Sequence, residues 1–271
     1  MHHDQHATAP DGTSIAWSRT GSGAPVVLVH GITESAASFT PVTERLAKTH
    51  EVVTLDLRGH GESGTAATYD LGAMAGDVAA VIAAAGVARP HLVGHSLGGA
   101  VVTAAGSMLE VASVVDIDQS LQLDSFKAQL VPAEPMLRDP AQYQLVVDAM
   151  LEMMMGDRLP ADEVNRINDL RRAEHEVVLG VWELLLTEPV EEIAATVDAA
   201  LAGYAGRDVP YLALFGIDPG DGYGDWLAER IPGSAVEYWA DHGHYPHLVD
   251  PDRFVRRLLD FWGPDGPDRR P

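Results

Sequence analysis

The chain has no cysteine, few positive charges and no long apolar run. Without cysteine, disulfides, thiolate nucleophiles and thiolate metal ligands are excluded. Its 271 residues include 18 Lys or Arg against 40 Asp or Glu, a formal net charge of −22. Nucleic acid and anionic membranes bind positive surfaces, so neither is expected as a partner. No apolar run approaches the ~18 residues that a bilayer span needs.

The amino-terminal residues also lack the basic segment and the apolar segment of a secretory signal, so a cytoplasmic location is expected. Hydrophobic residues make up 46% of the chain, which is enough to form a sizeable core. The length fits one large α/β domain with an insertion or two smaller domains.

Short apolar runs alternate with helix-like segments at both ends of the chain. This rhythm predicts an α/β fold with a mostly parallel, doubly wound sheet. Residues 1–12 are predicted to be a short polar segment before the first strand. The predicted strands are 14–18, 26–29, 52–55, 90–93, 112–117, 209–215 and 235–239, and helices include 40–48, 77–85 and one that opens at Asp250.

The strand rhythm stops between residues 120 and 206. The pattern there predicts helices over 141–155, 162–186 and 190–204. A stretch of about 85 residues is too long for an ordinary connection. We therefore predict a core made of 1–119 and 207–271, with 120–206 as a helical lid above the carboxyl ends of the strands.

Residues 94–98 have the pattern Gly-X-Ser-X-Gly, between an apolar run and a helix-like run. This arrangement is typical of a nucleophile elbow, a sharp strand-to-helix turn that forces its central residue to positive φ. Glycines two positions away on either side avoid a clash. Ser96 is therefore the predicted nucleophile, and the helix N-terminus behind it favours an oxyanion.

A serine hydroxyl needs an adjacent base to react at neutral pH. His244 is the predicted base, because it lies in a polar loop between the last strand and the last helix. His242 and His247 lie in the same loop. The three histidines could in principle bind a metal, but a serine and an acid are better matched partners for His244.

The acid that orients His244 has two candidates. Asp218 follows the strand at 209–215 and is the first choice, although an aspartate before proline is also a common turn residue. Asp118, at the end of the strand at 112–117, is the alternative. Asp221 and Asp225 lie in the same loop as Asp218.

An oxyanion hole needs two backbone donors. The predicted donors are the N–H groups of Leu97, after the nucleophile, and Ile32, after the strand at 26–29. His30 could brace that loop or be an ordinary turn residue. His30, Met154 and Trp182 are also the predicted pocket residues, the last two because they lie in apolar helical stripes of the insertion.

Residues 56–63 form a polar, glycine-punctuated turn after a buried strand. The turn contains Asp, Arg, His and Ser, the residue types of a catalytic site. We interpret it as structural, and we expect Asp56 and Arg58 to pair and fix its shape.

These motifs together resemble those of the α/β-hydrolase superfamily, in its serine-nucleophile esterase, lipase and haloperoxidase-like branch. The matching pieces are His-Gly at 30–31, the turn at 56–63, the elbow at 94–99 and Gly-His at 243–244. The resemblance implies a triad of Ser96, Asp218 and His244. One departure matters, because the family usually places its acid three residues after a glycine, and the residue three after Gly216 is Pro219. That departure keeps Asp118 as the alternative.

The expected function is cleavage of a carboxylic ester or lactone with an apolar portion through an acyl-enzyme, on a small-molecule substrate and with no cofactor. The alternatives are carbon–carbon bond hydrolysis, cofactor-free haloperoxidase-type chemistry, hydroxynitrile lyase chemistry or a slow-turnover small-molecule receptor, because one fold supports many reactions. The sequence leaves the substrate and the oligomeric state open.

Overall fold

A computed structural model describes residues 2–263, and it confirms the α/β class predicted from the sequence. One eight-stranded sheet has the order β1-β2-β4-β3-β5-β6-β7-β8. The pairs β1–β2 and β2–β4 are antiparallel, and the other neighbouring strands are parallel. The strands are β1 Gln5–Thr8, β2 Ser14–Gly21, β3 Ala24–Val29, β4 His50–Leu55, β5 His91–His95, β6 Ser113–Ile117, β7 Tyr211–Phe215 and β8 Ala235–Tyr238.

Helices cover both faces of this sheet. The helix predicted over 77–85 begins earlier, at Leu71, and ends at Ala85 as predicted. The Asp70 side chain caps α2 and Gly86 ends it at φ 67°, while the Asp250 side chain caps α12. The helices are α1 Thr40–Leu46, α2 Leu71–Ala85, α3 Leu97–Met108, α4 Asp124–Leu130, α5 Glu134–Leu137, α6 Tyr143–Met155, α7 Ala161–Leu170, α8 His175–Thr187, α9 Val190–Leu201, α10 Tyr223–Arg230, α11 Pro246–Val249 and α12 Pro251–Trp262. No helix among residues 2–263 combines the length and apolarity that a membrane crossing requires.

The core has one apolar layer on each face of the sheet. Along β3, Val27 and Val29 pack into the layer that contains α2 and α3. Val26 and Leu28 pack into the opposite layer, with α1 and α12. Successive side chains of a strand point to opposite faces, so a continuous apolar run is what a strand buried on both faces requires.

The chain between β6 and β7 forms helices α4 to α9 and adds no strand to the sheet. These helices enclose an apolar cluster of their own, in which Val178 and Trp182 of α8 pack with Leu130, Leu137 and Val147. Ile32 of the core joins this cluster. The helical segment therefore packs directly on the loop that follows β3.

Two sequence predictions about secondary structure are wrong. Residues 5–8, predicted as part of a short polar segment, form the edge strand β1, in which only Ala7 is buried and the apolar pattern is too short to read. The predicted single helix over 162–186 is two helices. The chain is extended at Arg171, and the Arg172 N–H donates to Thr33 O at 2.7 Å instead of continuing the helix. Residue 1 and residues 264–271 of the predicted core lie outside the described residues.

Candidate active site

Ser96 lies on a sharp turn between β5 and α3, with φ 52° and ψ −124°. Side-chain-bearing residues rarely adopt this backbone conformation, and it is typical of a nucleophile elbow. The flanking glycines permit it. A Cβ on Gly94 would be 2.0 Å from Gly98 O, and a Cβ on Gly98 would be 2.1 Å from Val29 O. The structure therefore places Ser96 where the sequence motif predicts it, at the carboxyl end of the central strand β5.

The loop after β3 runs beside this elbow. A Cβ on Gly31 would be 3.3 Å from Ser96 Cβ, so the loop and the nucleophile candidate are in close contact. Ile32 follows in the loop, and Leu97 is the first residue of α3. Both side chains pack in the apolar cluster of the helical segment with Trp182. The two residues that carry the predicted oxyanion donors thus pack against that segment.

His30, a predicted pocket residue, braces this loop in the structure. Its side chain is completely buried, Nδ1 lies 2.7 Å from Gly31 O, and Nε2 lies 3.0 Å from Leu57 N. A carbonyl only accepts and a backbone N–H only donates, so the ring is neutral with its proton on Nδ1. Burial accordingly lowers the pKa of His30.

The turn at 56–63 is structural, but not through the expected pair of Asp56 and Arg58. Arg58 is buried and forms a two-pronged ion pair with Asp77, with its Nε 2.7 Å from Oδ2 and its Nη2 2.6 Å from Oδ1. Asp56 instead accepts from Ala36 N at 2.7 Å and from Glu62 N at 2.8 Å. Asp56 therefore ties the turn to the loop that carries Ile32.

His244 contacts a carboxylate, and that carboxylate belongs to Asp118. His244 Nδ1 lies 2.6 Å from Asp118 Oδ2, and both side chains are buried. Asp118 follows β6 directly, with φ 53°. Its other oxygen accepts from Gly216 N at 2.7 Å and from Ile217 N at 2.9 Å. Two backbone N–H groups thus hold the carboxylate beside the imidazole, in the geometry that fixes a tautomer with the proton on Nδ1.

The structure does not place Asp218 beside His244, which corrects the first choice for the acid. Asp218 is exposed, and its Oδ1 accepts from Gly220 N at 2.9 Å in a local turn. Asp221 and Asp225 are exposed as well. The chain turns outward after Gly216, whose N–H is already donated to Asp118.

The main chain of the His244 loop is fixed by the helical segment. His244 N donates to Met154 O at 2.8 Å, at the end of α6. The half-buried Met154 side chain lines a cavity of about 340 Å³ together with Gly156, Gly216, Asp218 and Gly243. This cavity adjoins the glycine that precedes His244.

The other two histidines of this loop have different partners. His242 Nδ1 lies 2.9 Å from Ala240 O, and its ring packs on Trp239. His247 is completely buried against Phe39.

Opposing effects act on the pKa of His244. Burial is the largest effect and lowers the pKa below its ordinary value of 6.5, while the hydrogen bond to Asp118 acts in the opposite direction. The net shift is downward. A lowered pKa keeps His244 neutral near pH 7, which is the state that a general base requires.

A second carboxyl group lies behind the elbow. Asp116, in β6, is completely buried, and a Cβ on Gly99 would be 2.2 Å from its Oδ1. Burial and the neighbouring Asp118 raise the pKa of Asp116 well above its usual range. Gly99 of the elbow motif therefore leaves room for the Asp116 carboxyl group.

Sequence reasoning did not assign a role to Glu34, His95 or Tyr245. All three are buried at this site, and the Tyr245 hydroxyl donates to Glu34 Oε1 at 2.8 Å. The one signal in the sequence is their position, because each lies within three residues of a predicted site residue.

The sequence profile of the alpha/beta hydrolase family matches residues 26–257. The chain belongs to that family. Among curated relatives, the esterase YbfF of Escherichia coli is 25% identical over 257 residues, covering 88% of this chain and 94% of the esterase.

Two solved structures have the same fold. An esterase from Exiguobacterium antarcticum has a TM-score of 0.79 at 22% identity, covering 97% of this chain and 99% of the esterase. An esterase from Rhodococcus sp. ECU1013 has a TM-score of 0.71 at 29% identity, covering 95% of this chain and 98% of that one. This hydrolase therefore has esterases among its relatives in both sequence and structure.

Proposed function

We propose that this hydrolase cleaves a carboxylic ester or lactone with an apolar portion, using Ser96 as nucleophile and forming an acyl-enzyme. The observation that carries the proposal is the buried His244–Asp118 contact of 2.6 Å. Ser96, on its strained elbow, is linked to the residue before Asp118 by a 2.9 Å hydrogen bond from Ser96 N to Ile117 O. A nucleophile, a base and a group that orients the base are the parts that acyl transfer needs.

In the proposed reaction, His244 Nε2 takes the proton of the Ser96 hydroxyl as its oxygen attacks the substrate carbonyl. The N–H groups of Ile32 and Leu97 stabilise the resulting oxyanion. His244 then protonates the leaving alkoxide, and the acyl group stays on Ser96. Water attacks the acyl-enzyme with the same base, which releases the acid and restores the serine.

The surroundings of the two proposed oxyanion donors favour a substrate with an apolar portion. Ile32 and Leu97 contact the apolar cluster of the helical segment, which includes Trp182 and Val178. We propose that residues 120–206 act as a lid on the remaining core and that Trp182 faces the acyl or alcohol portion. The esterase relatives support ester chemistry for this chain.

Hydrolysis of p-nitrophenyl esters over a series of acyl lengths tests the proposal. We expect the wild-type protein to be active and Ser96→Ala to lose about 10³-fold or more in kcat, with an unchanged thermal unfolding curve. Ester hydrolysis at the wild-type rate by Ser96→Ala would refute the mechanism. A wild-type protein inactive on every ester would instead favour carbon–carbon hydrolysis, haloperoxidase-type or hydroxynitrile lyase chemistry, or a receptor.

A further inference from the structure

Glu34 is a buried carboxylate in the loop after β3, two residues beyond Ile32. It is 3% exposed, and its Oε1 accepts from the Tyr245 hydroxyl at 2.8 Å. The second carboxylate oxygen, Oε2, accepts no hydrogen bond from the residues that the structure describes. A buried carboxylate oxygen without a hydrogen-bond partner lowers the stability of the fold. Its nearest polar neighbour is therefore the group to examine for an interaction with it.

That neighbour is His95, the residue before the proposed nucleophile. His95 Nδ1 lies 3.7 Å from Glu34 Oε2, and within residues 2–263 it too has no hydrogen-bond partner. The other ring nitrogen, Nε2, lies 2.8 Å from His244 O. The His95 ring also packs on the His244 ring, with a centroid distance of 4.6 Å.

The position of one proton on His95 follows from these contacts. A carbonyl oxygen only accepts, so Nε2 carries a proton and donates it to His244 O. Nδ1 faces the Glu34 carboxylate, 3.7 Å from Oε2. Burial alone would raise the pKa of Glu34, but the His95 ring and the Tyr245 hydroxyl outweigh it and hold that pKa below its usual range.

We propose that Glu34 and His95 form a second buried carboxylate–histidine pair, which positions His244 through its main-chain carbonyl. Asp118 orients the imidazole of His244 from one side, and this pair holds the backbone of the same residue from another. Because His95 and Ser96 are consecutive, the Nε2–H bond also fixes the distance between the nucleophile and the base. The role assigned to the pair rests on the proposed function.

The Glu34–His95 pair is also connected to the helical segment by hydrogen bonds. Tyr245, which donates to Glu34, accepts a hydrogen bond from Arg171 Nη2 at 3.2 Å, between α7 and α8. The other titratable groups around His95 are His244 and His247, whose rings lie 4.6 Å and 4.7 Å away, with Arg166 of α7 beyond His247. A change in the helical segment at Arg171 would therefore act on Glu34 through one hydroxyl.

Two substitutions of His95 separate positioning from packing. In His95→Gln, the amide nitrogen takes the place of Nε2 and can still donate to His244 O, whereas His95→Phe keeps a ring of similar size and loses the donor. We expect His95→Phe to lower kcat for the p-nitrophenyl ester by about 10- to 100-fold, with KM within about twofold. We expect His95→Gln to recover at least about tenfold of that loss.

The matched control is His91→Gln, at the other end of β5. His91 is also buried, with Nδ1 2.8 Å from Ser113 Oγ and its ring stacked on Trp262, far from His244. The His91→Gln variant should therefore have the wild-type kcat. A kcat for His95→Phe equal to or above that for His95→Gln would overturn the proposal, and so would an equal loss in His91→Gln.

Nitrogen-15 spectra of histidine-labelled protein test the pair without any substrate. We expect Nε2 of His95 to carry a proton in the wild-type protein, assigned by the signals that His95→Gln removes. Glu34→Gln removes the carboxylate charge 3.7 Å from Nδ1, so we expect the Nδ1 signal to shift while Nε2 keeps its proton. A His95 without a proton on Nε2, or an Nδ1 signal that is the same in Glu34→Gln as in the wild-type protein, overturns the pair, whereas an inactive wild-type protein with the expected spectrum refutes only the ester hydrolysis.

Discussion

Replacing Asp118 by asparagine keeps the shape of the side chain but puts a hydrogen-bond donor, in place of an acceptor, beside His244. Asp118 Oδ1 accepts from Gly216 N at 2.7 Å and Ile217 N at 2.9 Å, so asparagine must keep its amide oxygen there. Its NH₂ group then takes the position of Oδ2, 2.6 Å from His244 Nδ1. Because that group donates, His244 would carry its proton on Nε2 and could not accept one from Ser96.

The size of the effect follows from this change of tautomer. In a Ser-His-Asp triad, the corresponding substitution lowers kcat by about 10⁴-fold with the geometry intact. We therefore expect Asp118→Asn to lower kcat by about 10³- to 10⁴-fold. That loss corresponds to about 4–5 kcal/mol of transition-state stabilisation.

Asp218→Asn is the matched control, because it makes the same chemical change at the other candidate acid. Asp218 is exposed and accepts only from Gly220 N, a turn that asparagine forms equally well. Its kcat should stay within about twofold of the wild-type value. The assay is p-nitrophenyl ester hydrolysis by both variants beside the wild type, with thermal unfolding of each. A folded Asp118→Asn protein at wild-type kcat, or a larger loss in Asp218→Asn, would refute the reasoning.

Two further predictions concern the elbow and the base. Gly98→Ala should destabilise the protein by about 1–3 kcal/mol or more in a denaturant titration, because the added Cβ would lie 2.1 Å from Val29 O. Gly76→Ala, inside α2 with its Cβ 3.9 Å from the nearest atom, should stabilise by about 0.5–1 kcal/mol; equal effects of the two would contradict the packing argument. For the base, kcat/KM should fall as the pH drops below the pKa of His244, because the imidazole is then protonated and cannot accept a proton. Burial lowers that pKa below 6.5. A kcat/KM that already falls by half above pH 6.5 would be inconsistent with that burial.

The sequence by itself determined the class of the fold and the place of the nucleophile candidate. Continuous apolar runs such as 26–29 require burial on both faces, and the glycines around Ser96 permit a turn with positive φ. Both signals are local, because they depend on residues a few positions apart. The same holds for the Asp250 cap, which the structure confirms.

Only the tertiary structure decided which carboxylate meets His244. Asp118 and Asp218 follow β6 and β7, which are neighbours in the sheet, so strand order allows either one. The choice depends on the left-handed turn at Asp118 and on two backbone N–H groups that hold it. The contacts of Glu34 with His95 and of Arg172 with Thr33 also join residues far apart in the chain. No sequence pattern records such contacts, because they arise only when separate elements pack together.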